Sequence, residues 1–265
     1  MALLRWDALT SQYVNLRTGA HIDPGPSPVA GWPDETNTGF LGDPATLTPI
    51  AGYTVTTPGA VIENMLISDA LRIEAANVTV RNCRINAGYY GVLSETSATG
   101  LRIEDVTVVG GDVGLSIQGA GSIIRRCNVS DGEDGMKIGG NNSLIEDNYI
   151  HDLNRDDPLA HNDGIQCWSM SGTIFRHNAI WSRDTSCIAM FDGQGTWSDI
   201  TIENNLLLNS GYLLYLGMGI GMKVLNNTMG GWGYAPATHW NPSGAGNVWA
   251  DNVRQGTGAP VTPGG

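Results

Sequence analysis

LIEDNYI at residues 144–150 and HNDGIQCW at 161–168 are the two stretches whose reading decides the fold. The first is the clearest copy of a unit that recurs along most of the chain. Aligned on the central hydrophobic residues, the series runs IENMLI (62–67), VRNCRI (80–85), IEDVTV (103–108), IRRCNV (124–129), IEDNYI (145–150), FRHNAI (175–180), IENNLL (202–207) and VLNNTM (224–229), with a degraded VWADNV at 248–253. Successive copies begin 18 to 30 residues apart. Short β-type segments repeating at that period, with no helical periodicity, predict a solenoid. Tandem hairpins would need regular tight-turn signals, which are missing.

The second position runs Glu63, Arg81, Glu104, Arg125, Glu146, Arg176, Glu203. Stacked at the ~4.8 Å inter-strand spacing, opposite charges alternate along one exposed face, so Arg125 and Arg176 read as ladder residues. The fourth position runs Met65, Cys83, Val106, Cys127, then Asn148, Asn178, Asn205, Asn227, which predicts an internal ladder of stacked amides. Cys83 and Cys127 would stand two rungs apart, roughly 9–10 Å, too far for a disulfide. A second strand follows each unit: GLSIQ (114–118), GMKIG (135–139), GIQCW (164–168), CIAMF (187–191) and LLYLG (213–217). Alternation sends Cys167 inward and Cys187 outward, and it places Ser116, Lys137, Gln166, Ala189 and Tyr215 on one outward row.

The 265 residues include 36 Gly and 3 Phe, and only 15% are charged, a composition suited to many short strands. A net charge of −12 argues against nucleic acid or an anionic membrane as general partner. No apolar run approaches the ~18 residues of a membrane span. No signal-peptide pattern is visible at the start, so the expected location is virion-associated or, after removal of a leader, extracellular. Residues 1–30 read as an N-terminal arm or attachment segment, 31–60 as a cap leading into the coils, 61–253 as the parallel β-helix and 254–265 as a flexible C-terminal tail. Residues 232–247 read as a capping loop.

The pattern resembles the right-handed parallel β-helix proteins of the pectin-lyase-like superfamily, over roughly residues 55–253. Residues 31–64 are similar to the leading region of β-helix proteins of actinobacteria and their phages, and RWDALTSQYVNLRTGAHI to the leaders of phage tail proteins. The resemblance implies an all-β, single-stranded solenoid of roughly eight to nine coils. It also implies carbohydrate as ligand, since lyases, hydrolases, epimerases and tailspike depolymerases share the fold. Phage spikes are commonly trimers, and the arm would attach such a protein to a tail.

Site residues follow from the second strands. Asp134 and Asp163 occupy the same place on adjacent rungs, where two carboxylates share a proton, bind a cation or act as an acid–nucleophile pair. The alternative is a turn aspartate capping its own backbone before glycine. Lys137 offers a base or a counter-charge for an acidic sugar, and a plain surface ion pair is its alternative. The insertion HDLNRDDPLAH (151–161) supplies His151, Asp152, Arg155, Asp156, Asp157 and His161, with His161 the first choice as general acid or base, or it forms a lid without chemistry. Asp134, Asp163 and Asp157 form a candidate Ca²⁺ set. Gln166, Trp168, Phe191, Tyr215, His151 and Arg155 are candidate substrate contacts, and Trp181 and Trp197 extend the aromatic group. The leading expectation is β-elimination of a uronate polysaccharide with His161 or Lys137 as base. The alternatives are a glycoside hydrolase using Asp134 and Asp163, or a non-catalytic carbohydrate-binding or structural tail protein. The sequence lacks a complete lyase triad, an assignable arginine base and a full hydrolase aspartate set.

Overall fold

Each coil turns at residues whose backbone lies in the left-handed region. The third position of every repeat has positive φ: Asn64, Asn82, Asp105, Arg126, Asp147, His177, Asn204, Asn226 and Asp251. A second such residue stands three positions before each repeat's first hydrophobic residue, as at Asn77, Gly100, Gly121, Asn142, Gly172, Asp199, Gly221 and Gly246. Asn, Asp and Gly dominate both sets because they enter this region at least steric cost. One residue thus redirects the chain at each corner, and the same corner recurs in every coil.

The computed structural model describes the backbone of 4–7, 12–15 and 21–22, and all of 31–153 and 161–264. It divides into two compact units, Met1–Gly31 and Trp32–Gly265. In the first, Leu4–Asp7 pairs antiparallel with Gln12–Asn15, which pairs antiparallel with His21–Ile22. The second is an all-β parallel solenoid of about 8 turns, as the repeats predict. The first-position residues stack in register from Ile62 through Val80, Ile103, Ile124, Ile145, Phe175, Ile202 and Val224. The last partner is Trp249, so the final copy is WADNV, one residue later than sequence alignment placed it.

The charge ladder forms as read. Arg81 pairs with Glu63 at 2.6 Å, Arg125 with Glu104 at 3.3 Å and Arg176 with Glu146 at 2.6 Å. Inside, the amides of Asn148, Asn178, Asn205, Asn227 and Asn252 are buried, the Nδ2 of each of the first four donating to the next Oδ1 at 2.9–3.0 Å. The backbone N–H of each of the first four also donates to the next side-chain oxygen. The ladder therefore satisfies polar groups that the corner would otherwise leave orphaned in the core. All four cysteines are free and buried.

One face of the solenoid is a nine-stranded parallel sheet: Thr54–Val55, Leu71–Ile73, Tyr90–Ser94, Val113–Ile117, Asp134–Ile138, Asp163–Cys167, Ser186–Met190, Tyr212–Leu216 and Ala235–Thr238. Part of the expected capping loop is thus its ninth strand.

Three further expectations are corrected. Cys187 points into the core, 3.5 Å from the Ile180 carbonyl oxygen and 3.4 Å from that of Leu208. Residues 254–264 are no free tail: the buried Val261 accepts a hydrogen bond from Trp249 Nε1 at 2.7 Å and donates its N–H to Asn252 O at 2.8 Å. Residues 32–40 also do more than lead into the first coil. Trp32 stacks on His177 at 5.2 Å, Gly39 N donates to Arg126 O at 2.7 Å and Phe40 N to Thr107 Oγ1 at 2.9 Å, so this strap crosses several coils. A Cβ on Gly39 would lie 2.4 Å from Thr107 Oγ1, which explains the glycine.

Asn178→Ala, in mid-ladder, removes the acceptor of two buried donors of Asn148. The expected cost is roughly 2–5 kcal/mol, since each unsatisfied buried group costs about 1–3 kcal/mol. A thermal or denaturant midpoint checks this, and an unchanged midpoint refutes the structural role of the ladder.

Candidate functional site

The nine-stranded sheet presents one outward row whose register is continuous: Leu93, Ser116, Lys137, Gln166, Ala189, Tyr215, Thr238. Strict alternation along Asp134–Ile138 would put Asp134 on the inner side with Met136 and Ile138. The alternation breaks at Gly135 instead. A Cβ there would point inward, 2.5 Å from Ile150 Cγ2, and one on Gly164 would lie 2.3 Å from Ile180 Cγ2. The glycine absorbs the extra inward position, so Asp134 and Lys137 share the outer face although three residues apart.

Asp134 and Asp163 then stand on adjacent rungs, 5% and 1% exposed, at the floor of a cleft of about 470 Å³. Glu133, Lys137, His161, Gln166, Thr185 and Phe191 complete its lining. The two carboxyl groups have unequal partners. Asp134 Oδ2 receives Lys137 Nζ at 2.9 Å, and its Oδ1 accepts the Asp163 N–H at 2.9 Å. Asp163 Oδ1 accepts the neutral Thr185 hydroxyl at 2.6 Å, and the carboxyl also takes a backbone hydrogen bond from Ser186, but no cation contacts it directly among the described residues. Burial is the main force on both groups and raises both above the ordinary carboxylate range. For Asp134 the Lys137 ammonium opposes that rise; Asp163, with Asp134 adding to the effect of burial, is pushed up to about 7.

The sequence therefore brought together Asp134, Asp163, Lys137, His161, Gln166 and Phe191. It missed Glu133 and Thr185, neither of which lies on the outward row or in the insertion from which candidates were drawn. The signal was there: Asp163 pairs in register with Ser186, which puts Thr185 beside it. Other candidates lie elsewhere. His151 belongs to Tyr149–His151 on a different sheet, stacked on Tyr149 at 3.9 Å and bonded to Asp152 at 2.8 Å and Asn128 at 3.1 Å. It is no part of the cleft. Trp181 and Trp197 are buried, 6% and 3% exposed, whereas Trp168 is 37% exposed and outside the cleft lining. Arg155, Asp156 and Asp157 lie outside the described residues.

Ca²⁺ fits this pair poorly. It needs 6–8 oxygen ligands, yet Asp134 already meets an ammonium and a backbone N–H, and Asp163 a hydroxyl donor. A cation would have to displace Lys137. Among the described residues no cluster of three or more His, Cys, Asp or Glu is arranged to hold a metal ion. No step below runs through one.

Comparison with known proteins agrees with the architecture. Among solved structures, the crystal structure of the Dettilon tailspike protein (gp208) superposes with a TM-score of 0.52 at 14% identity, covering 78% of this chain. The match spans 54% of the tailspike chain, about half its length, so the likeness is one of fold. No curated protein matches the chain. The profile of the right handed beta helix region matches residues 90–231, more than half of the molecule, and the chain belongs to that family.

Proposed function

We propose that this protein acts on polysaccharide and hydrolyses a glycosidic bond in the cleft floored by Asp134 and Asp163. The observation that carries this reading is the inequality of two neighbouring carboxyl groups, one ion-paired and one held by a neutral hydroxyl. Paired carboxyls whose environments differ in this way divide acid and base work between them. Asp163, protonated near neutrality, gives its proton to the glycosidic oxygen as the C–O bond breaks. Asp134, kept as carboxylate by Lys137, faces the positive charge that develops at the anomeric carbon. At the ~4.8 Å rung spacing the pair lies nearer the ~5–5.5 Å of retaining than the ~6.5–9.5 Å of inverting glycosidases. In the retaining course Asp134 bonds to the anomeric carbon as the leaving oxygen departs, and water then displaces Asp134, giving its proton to the deprotonated Asp163.

β-Elimination of a uronate chain keeps one specific support, His161 at the rim of the same cleft. It lacks a counter-charge for the substrate carboxylate, because Lys137 is held by Asp134. The likeness to a tailspike supports a place on a virion, with 1–30 as attachment segment and three copies as the assembly. Sedimentation equilibrium is expected to give a trimer mass, and a monomer removes that part of the proposal.

New reducing ends are expected from a panel of polysaccharides, without a rise in absorbance near 235 nm. Asp163→Asn and Asp134→Asn should each lower the rate at least 100-fold. A rise at 235 nm that His161→Ala abolishes would replace hydrolysis by elimination, and neither signal would leave binding alone.

The pH dependence has a definite sign. Asp163 moves from 3.8 to about 7 on folding, so between those values the folded chain holds a proton that the unfolded chain releases. Its contribution to stability is therefore full at low pH and is lost as pH rises towards about 7. The melting temperature of Asp163→Asn should fall less steeply than that of the parent over this window. Parallel curves would contradict the burial of an ionisable Asp163. Hydrolysis should likewise decline above about pH 7, as the acid loses its proton.

A further inference from the structure

Three rungs beyond Lys137 on the outward row, Tyr215 ends a hydrogen-bonded chain drawn from three separate coils. Its hydroxyl lies 2.9 Å from His239 Nε2, and His239 Nδ1 meets Asp192 Oδ2. Asp192 accepts only, so it fixes the imidazole with the proton on Nδ1. Nε2 is then the acceptor, and the Tyr215 O–H donates to it. That leaves the phenolic oxygen with its lone pairs turned to an incoming donor. The rings are ordered as well: His239 stacks on Tyr215 at 4.5 Å, and Phe191 meets it edge-on at 4.9 Å. Tyr212 lies 6.2 Å away, followed by Tyr234, which is 77% exposed. Because Phe191 also lines the carboxylate cleft, the two places are continuous.

Charge decides what can lie there. Along this face the described carboxylates include Glu74, Glu95, Asp134, Asp163, Asp184 and Asp192. The cations of the row are Lys137, held by Asp134, and Arg72, held by Glu74 and Glu95. Arg183 stands beside Asp184 in a neighbouring hollow. The insertion 154–160 adds one Arg and two Asp to the chain. Among the described residues of this face carboxylates outnumber cations, so a polyanion laid along it would meet net negative charge.

Building on the hydrolase reading above, we infer that Tyr215, oriented by His239 and Asp192, anchors an uncharged sugar ring of a neutral polysaccharide. The ring sits roughly 14 Å from Lys137, at ~4.8 Å per rung. An aromatic face takes the apolar side of a pyranose, and the fixed phenolic oxygen accepts from a sugar hydroxyl. His239 and Asp192 are positioning residues here.

The test uses the full chain carrying Asp163→Asn, which separates binding from turnover. Calorimetry is run with dextran, galactomannan, xylan and a soluble β-glucan as neutral probes, and with polygalacturonate and alginate as anionic ones. At least one neutral chain is expected to bind at least ten-fold tighter than either anionic chain. Tyr215→Ala should weaken that binding at least ten-fold and Tyr215→Phe by less, with folding checked by circular dichroism. His239→Gln, which keeps an amide near the hydroxyl, should fall between wild type and Tyr215→Ala. Failure of every neutral probe to bind, equal or tighter binding of the uronates, or affinity that survives Tyr215→Ala in a folded protein overturns the inference. Tyr215-dependent binding in a protein with intact Asp163 that yields no reducing ends would sink the hydrolase reading and leave the subsite standing.

Discussion

Register is the constraint on which the rest of this molecule depends. A parallel coil can hydrogen-bond to its neighbours only if each turn returns every residue to the same place, ~4.8 Å along the axis. Left-handed residues at fixed positions do this geometrically, and the asparagine ladder does it chemically, because each amide donates to the next and accepts from the one before. Coils of different length are tolerated as long as the corners hold. The 30-residue step between Ile145 and Phe175 carries the insertion, yet Ile145 and Phe175 still pair in register. His161, the first described residue after the insertion, lines the cleft.

The same constraint places the chemistry. Asp134 and Asp163 come from segments 29 residues apart in sequence, and stacking makes them neighbours at the floor of one cleft. Two buried carboxyl groups one rung apart oppose each other's ionisation. The structure gives them unequal surroundings: an ammonium on Asp134 opposes the rise that burial imposes, while Asp163, held by a hydroxyl, is pushed up to about 7.

Most of the architecture was legible in the sequence because the corner residues and the amide column repeat as letters. The charge alternation and the unpaired cysteines followed from the same stacking. What escaped was set by contacts that no local pattern encodes. Cys187 and Asp134 were misjudged or left undetermined because a strand's two-residue alternation fails at the position of Gly135 and Gly164, where inward space rather than parity decides orientation. Thr185 needed the register before it could be placed. His239 and Asp192 carry no shared motif and meet Tyr215 only across coils. The strap at 32–40 binds to corners that are themselves products of folding.

That strap also bears on how the solenoid comes apart. Stacked coils interact mainly with their immediate neighbours, so a solenoid tends to fray from its ends one turn at a time. Residues 32–40 tie the turns carrying Thr107, Arg126 and His177 to one continuous segment outside the stack. Those contacts exist only after at least three turns are in place, which makes the strap a late arrival in folding. Its release then precedes fraying of the turns beneath it, adding a barrier to unfolding whose effect is on lifetime more than on equilibrium.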